Sequence, residues 1–242
     1  MISLRTLVDR AIAGPDYPPN DEDLADLRIL GLALPRRASV AVLAATALIL
    51  VDRLGLLLSP TTSAELGPGL RAVSVERFVL FLVAPLSIVV FGFRDSPARY
   101  ALRLGDWRWG GGLLLAGLAV MTPIILALAQ LPEFRGYYGG VPRPLVTVLA
   151  NNLVELIPAE FLLRGFLMFA LWRRIGPLAL VVVQVPFVLT HIGKPDVELW
   201  STFIGGSVFA WLDWRTGSIL WSALGHVYVL TLMVVAVGGA TL

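Results

Sequence analysis

Cysteine is absent from all 242 residues. That excludes disulfides, thiolate nucleophiles and cysteine-based metal sites together. Charge is scarce: 15% of the residues are Asp, Glu, Lys or Arg, where a soluble domain carries about a quarter. Lysine is nearly missing, since Lys194 stands alone among 19 basic residues and the rest are Arg. Histidine occurs only at His191 and His226. The net charge of +2 is spread between apolar runs rather than gathered in a patch, so no nucleic-acid partner is expected. The N-terminus does not read as a secretory signal, because Asp9, Arg10 and "GPDYPPNDED" interrupt any apolar core. No internal repeat or low-complexity tract is evident.

What fills the chain is apolar: 57% of residues are hydrophobic and the mean hydropathy is +0.81. Several apolar runs reach the length that crosses a bilayer as a helix, about 20 residues. They are continuous, without the period-two alternation of a membrane β-barrel. The sequence therefore predicts an all-α polytopic membrane bundle of seven spans, near 38–58, 77–93, 110–131, 144–172, 176–192, 198–213 and 217–241. Residues 1–37 read as a cytoplasmic or interfacial segment and 38–242 as the transmembrane domain. Within the first, Asn20 is placed to cap a short amphipathic helix over "NDEDLADLRILGLAL".

The basic residues orient the bundle. With the N-terminus inside, Arg5, Arg10, Arg28, Arg36, Arg37, Arg94, Arg99, Arg103, Arg108, Arg173, Arg174 and Arg215 fall on inner segments. Only Arg71, Arg77, Arg135, Arg143 and Lys194 fall outside, which satisfies the positive-inside rule. Trp172, Trp211 and Trp214 lie near the inner interface, where indoles prefer to sit. Asp52 with Arg53, and Asp213 with Arg215, read as boundary or snorkelling charges.

Ionisable side chains inside a span are functional candidates by default. The fourth run carries Asn151, Asn152, Glu155, Glu160 and Arg164; the fifth ends in His191 and the seventh holds His226. Counting along ideal helices from the inner face, Glu160 lies roughly 18 Å deep, His226 roughly 14 Å and His191 roughly 22 Å, so one layer can hold all three. Glu160 and Arg164 stand four residues apart on one helix face, which lets them pair. Asn152, Glu155 and Ala159 make a second stripe. Pro158 removes a backbone hydrogen bond just before Glu160. Such a Glu–Arg pair can simply lock helices together, and a buried His can be a packed core residue. A glutamate with two histidines can also activate water and stabilise developing negative charge. The same trio is a familiar zinc set, although no H-E-x-x-H occurs.

These residues carry a resemblance. "AEFLLRGFL" is similar to the Glu-Glu-x-x-x-Arg motif of the CPBP intramembrane proteases, relatives of the type II CAAX prenyl endopeptidases also called Abi proteins. "FVLTH" matches their Phe-x-x-x-His at Phe187 and His191, and "FIGGSVFAWLDWRTGSILWSALGH" resembles the helix, turn and helix that lead to their last His. "YALRLGDWRWG" and "EFRGYY" extend the likeness upstream, so that it covers about 94–235. The resemblance implies a helical protein of the bacterial inner membrane, with lipid and a membrane-associated, prenylated or transmembrane peptide as its partners. It implies hydrolysis by water activated by the first motif's glutamate and by His191, with His226 and an Asn four residues on holding the oxyanion; Glu160, His191 and His226 are the expected site, with Arg164 orienting Glu160. In some accounts the family uses a divalent metal. Two positions depart from the pattern: Ala159 stands for its first Glu and Leu230 for its final Asn. Glu155, one turn before Ala159, is the candidate substitute for the missing base. A catalytically silent member that binds a membrane partner is the rival expectation, and a small proton-coupled carrier a third.

Overall fold

The computed structural model describes residues 13–57 and 69–241. Asn20 caps a helix as expected: its side chain accepts from the Asp23 N–H, and Asp23 accepts from the Asn20 N–H. That helix, α1 (Asp21–Leu24), ends after one turn. The amphipathic helix expected over this stretch is replaced by a hairpin of β1 (Asp26–Ile29) and β2 (Leu32–Pro35). The cause is Leu30-Gly31. Both residues have positive φ, 51° and 82°, as a two-residue hairpin turn requires.

Helical rods then fill 36–53, 72–92, 107–128, 145–175, 178–189, 196–216 and 220–236, within a few residues of the seven apolar runs. The first is α2 (Arg36–Arg53), which stops where Asp52 and Arg53 break the run. Next come α3 (Ala72–Gly92), with two π-helical stretches, and α4 (Trp107–Leu128). Among the described residues these two are long and apolar enough to cross a membrane by length and composition. Leu178–Leu189 and Leu220–Ala236 are apolar but shorter. Only 6% of the apolar window of α4 is buried, with Leu115 and Val120 both largely bare. A soluble protein's core helix would bury that stripe. Lipid is the solvent that suits it.

The short α5 (Pro132–Tyr138) leads to α6 (Leu145–Glu160), a π-helical segment Phe161–Leu167, and α7 (Met168–Ile175), which together form one rod. All seven residues of the π segment are buried, and Phe161 and Phe166 anchor the main apolar core. Phe166 stacks on Phe93 and packs against Tyr100, so the segment is the central pillar of the bundle. Around it stand α8 (Leu178–Val182), α9 (Gln184–Leu189), α10 (Asp196–Thr216) and α11 (Leu220–Ala236). The last packs mainly on α4 and α6. Gly217, in the left-handed region at φ 67°, turns α10 into α11 and offers its carbonyl to Arg103 Nε at 2.9 Å.

At one end a buried ionic knot ties the N-terminal segment down. Asp23 accepts from Arg37 at 2.7 Å and from Arg99 at 2.5 Å, with Arg173 Nε at 3.8 Å. Arg37 also reaches Asp95 at 2.9 Å and the Phe93 carbonyl. Burial alone would lift the Asp23 carboxyl; the Asn20 N–H and the Arg37, Arg173 and Arg99 guanidiniums outweigh it and hold it below the usual carboxylate value. Tyr17, Trp172 and Trp214 pack together beside this knot.

Candidate functional site

The site starts where α6 changes form. Pro158 lies inside α6 and cannot donate to the carbonyl one turn back. Three residues later the backbone widens into the π segment, a local form that is frequent at functional sites. Glu160 ends α6 with no solvent exposure, and Arg164 follows one turn on, 1% exposed. Arg164 Nη1 donates to Glu160 Oε2. The guanidinium supplies the counter-charge that burying a carboxylate demands. It lies over the Phe187 ring at 4.1 Å and reaches the Gly206 carbonyl at 3.4 Å. Gly206 permits that approach: a Cβ there would come within 2.3 Å of Gln184 Oε1 and 2.6 Å of the Phe187 ring.

Both histidines arrive at this pair. His226, on α11, has Nδ1 2.7 Å from Glu160 Oε1. His191, just past α9, has Nδ1 2.9 Å from its own turn's Phe187 carbonyl. A carbonyl and an ion-paired carboxylate only accept, so each Nδ1 carries the proton and each Nε2 keeps a free lone pair. The two rings lie 6.5 Å apart and nearly parallel, at 18°. Phe187 packs edge-on to both. The arrangement is thus an acid-oriented imidazole beside a second, carbonyl-oriented imidazole, enclosed by Phe187 and Phe209.

Four of the five residues singled out from the sequence, Glu160, Arg164, His191 and His226, meet here. Glu155 has other partners. Its carboxylate accepts from Arg77 Nη1 at 2.8 Å and from Arg71, with the Ser74 hydroxyl at 2.6 Å. Arg77 in turn holds Asp52 at 2.7 Å, so Asp52 is a buried network member rather than a boundary charge. The expected stripe of Asn152, Glu155 and Ala159 is divided. Asn151, four residues before Glu155, shares its network through Ser74 and the Arg71 N–H. Asn152 instead donates to Thr231 on α11 at 2.9 Å. Steps of three and four diverge on a helix, and the step of four is the one that α3 meets.

The site also gathers residues that the sequence did not single out. Asp213, read as a boundary charge, is fully buried on α10. Its Oδ2 accepts from Ser222, one turn before His226, at 2.8 Å. Gln184 is buried with Oε1 unpartnered. It shares a face with Phe187 and His191 by steps of three and four, a periodicity that was visible in the sequence.

The donor set does not fit a metal. One Glu160 oxygen is taken by His226 and the other by Arg164, whose charge opposes a cation. The two imidazoles then offer one Nε2 each, fewer than the three protein ligands of a catalytic zinc. Among the described residues no group of three or more His, Asp and Glu side chains is arranged to hold a metal ion. No chemical step below is routed through one.

The helical fold thus has an uncovered apolar helix and a buried Glu–Arg pair with one imidazole on its carboxylate and a second imidazole beside the first. The comparison with known families names its class. Residues 141–232 match the family model described as type II CAAX prenyl endopeptidase Rce1-like, which supports the CPBP family of CAAX proteases for this part of the chain. The match contains Glu160, Arg164, His191, His226 and Asp213, and is narrower than the 94–235 suggested by the motifs. No curated protein and no solved structure matches the chain.

Proposed function

We propose that the protein is an intramembrane endopeptidase that hydrolyses a peptide bond of a membrane-associated substrate, a prenylated or transmembrane peptide. It crosses a bacterial inner membrane seven times with its N-terminus in the cytoplasm. The observation that carries this reading is the 2.7 Å contact between Glu160 Oε1 and His226 Nδ1, with Arg164 on the opposite carboxylate oxygen. Glu160 fixes the imidazole in the tautomer whose Nε2 accepts a proton, the arrangement that makes a histidine a general base. His191 presents a second Nε2 from the facing ring. A water between these edges gives its proton to one imidazole as its oxygen adds to the scissile carbonyl carbon. The imidazolium then returns that proton to the departing amine as the C–N bond breaks. Arg164 supplies the counter-charge on Glu160 Oε2 while the water adds.

A second reading, a silent member that binds a membrane partner, is favoured by positions 159 and 230. Ala159 packs against the apolar core and Leu230 is half-buried, so neither adds a polar group. One set of experiments separates the two. The full-length protein in lipid vesicles is offered prenylated and transmembrane peptides. Cleavage that His191→Ala removes supports the peptidase. Absence of cleavage in wild type, followed by its appearance in the Ala159→Glu, Leu230→Asn double variant, identifies the silent reading.

A further inference from the structure

The buried site holds more carboxyl groups than cations. Asp213 is fully buried on α10, and both charges of the Glu160–Arg164 pair act on it. Its place follows from α11: Ser222, which holds Asp213 Oδ2, lies four residues before His226, which holds Glu160. The two carboxyls therefore dock on one face of α11, about 6 Å apart along its axis. Arg164 contacts Glu160 and, on α10, the Gly206 carbonyl and the Phe209 ring, the latter one turn before Asp213. Two loose ends remain, and they are complementary. Arg164 Nε–H is a buried donor with no acceptor, and Asp213 Oδ1 is a buried acceptor with no donor. An unmade hydrogen bond of this kind is costly to leave in a folded core. Tyr17 is the next titratable group to feel Asp213, and it faces Arg103 and Arg215 toward the inner surface.

We propose that Glu160 and Asp213 share one guanidinium and one proton, so that Asp213 is the second carboxyl of the site and stands in for the one missing at position 159. In the arrangement whose contacts are seen, Arg164 sits on Glu160, and the proposal assigns the proton to Asp213. In the exchanged arrangement the Asp213 O–H bond breaks, a Glu160 O–H bond forms, and the guanidinium swings to Asp213 through Nε. No other bond changes, and the buried charge is the same before and after. Glu160 so protonated is an acid beside His226, able to pass a proton toward a departing amine. This role rests on the peptidase reading; the sharing itself does not. Asp213 is a positioning residue that acts through Arg164.

The test is infrared spectroscopy of full-length protein in lipid vesicles at neutral pH, with aspartate carboxyls labelled by carbon-13. Wild type should show one protonated-carboxyl band that shifts with the label, and Asp213→Asn should lose it. The discriminating variant is Glu160→Gln. With Glu160 neutralised, Arg164 turns to Asp213, which ionises, and the band disappears. A band that persists in Glu160→Gln, or is absent from wild type, overturns the sharing. Where Glu160→Gln fails to fold, Ser222→Ala tests the premise of the sharing, that Asp213 holds the proton: removing the hydroxyl must shift the labelled band, and an unmoved band overturns the sharing. Because no cleavage is measured, these results stand apart from the peptidase assay. The expected bands with no proteolysis would sink the peptidase reading alone, and proteolysis without the bands would sink the sharing alone.

Discussion

At the scale of single residues, the site turns on which carboxylate touches which cation. Glu155 and Glu160 are both buried acids on one rod, yet they answer to different arginines. Glu160→Gln keeps the shape but gives His226 a neutral partner and frees Arg164. It should lower cleavage by about 10²–10⁴-fold, the usual worth of positioned acid–base chemistry, measured as initial rate in vesicles. Glu155→Gln should leave the rate within roughly tenfold and instead weaken the fold. The loss should be about 1–2 kcal/mol by denaturation in detergent, a discounted figure because Arg71 and Arg77 are partly exposed. A folded Glu155→Gln protein without cleavage would give Glu155 a chemical role. Sequence alone identified these two acids, because charge in an apolar run is conspicuous. It paired Glu160 with Arg164 but did not supply the remaining partners, which come from α3 and α11, far off in the chain. Asp213 was misjudged for a related reason: at the end of an apolar run, depth cannot be read from position, and only the packing of α11 buries it.

At the scale of elements, the helices were legible and their irregularities were not. Apolar runs marked every rod, but the hairpin at Leu30-Gly31 hid inside a stretch with good helix-start chemistry. The π segment hid as well, since Arg164 is the one polar side chain in it and the rest gives no period to measure. One packing prediction follows from the crossing of α9 and α10. Gly206 has no room for a Cβ, whereas adjacent Gly205 has nothing within 4 Å. Gly205→Ala should be neutral or slightly stabilising, by up to about 1 kcal/mol through helix propensity. Gly206→Ala should push α10 from Gln184 and Phe187, cost about 1–3 kcal/mol, and dislodge Arg164 from the Gly206 carbonyl. Thermal unfolding of the two variants side by side checks this, and equal behaviour would refute it.

At the scale of the whole molecule, the chain has a sidedness and an anchored end. The absence of cysteine makes the first directly testable. Val141 and Leu30 are both highly exposed, at 85% and 97%. In sealed cells Val141→Cys should react with a membrane-impermeant thiol reagent and Leu30→Cys should not, until the membrane is opened. The reverse pattern would invert the topology. The anchored end depends on Asp23. Its folded-state acidity is stronger than in the unfolded chain, so its contribution is complete above the unfolded value of about 4 and is lost as pH falls below it. Wild type should therefore lose thermal stability in that acid range. Asp23→Asn should be less stable at neutral pH, by about 3 kcal/mol for guanidiniums left buried without their acid, and should show a flatter acid profile.

The same knot sets an order of events while the chain is being made. Asp23 and Arg37 emerge early, Asp95 and Arg99 follow after two helical rods, and Arg173 comes only at the end of α7. The clasp cannot close on the N-terminal hairpin before Arg173 leaves the ribosome. By then the rod bearing Glu160 and Arg164 has emerged but neither histidine has. The latch is thus complete before the candidate site, and the last segments to emerge are the ones that bring Asp213 and both imidazoles to a pillar already held in place.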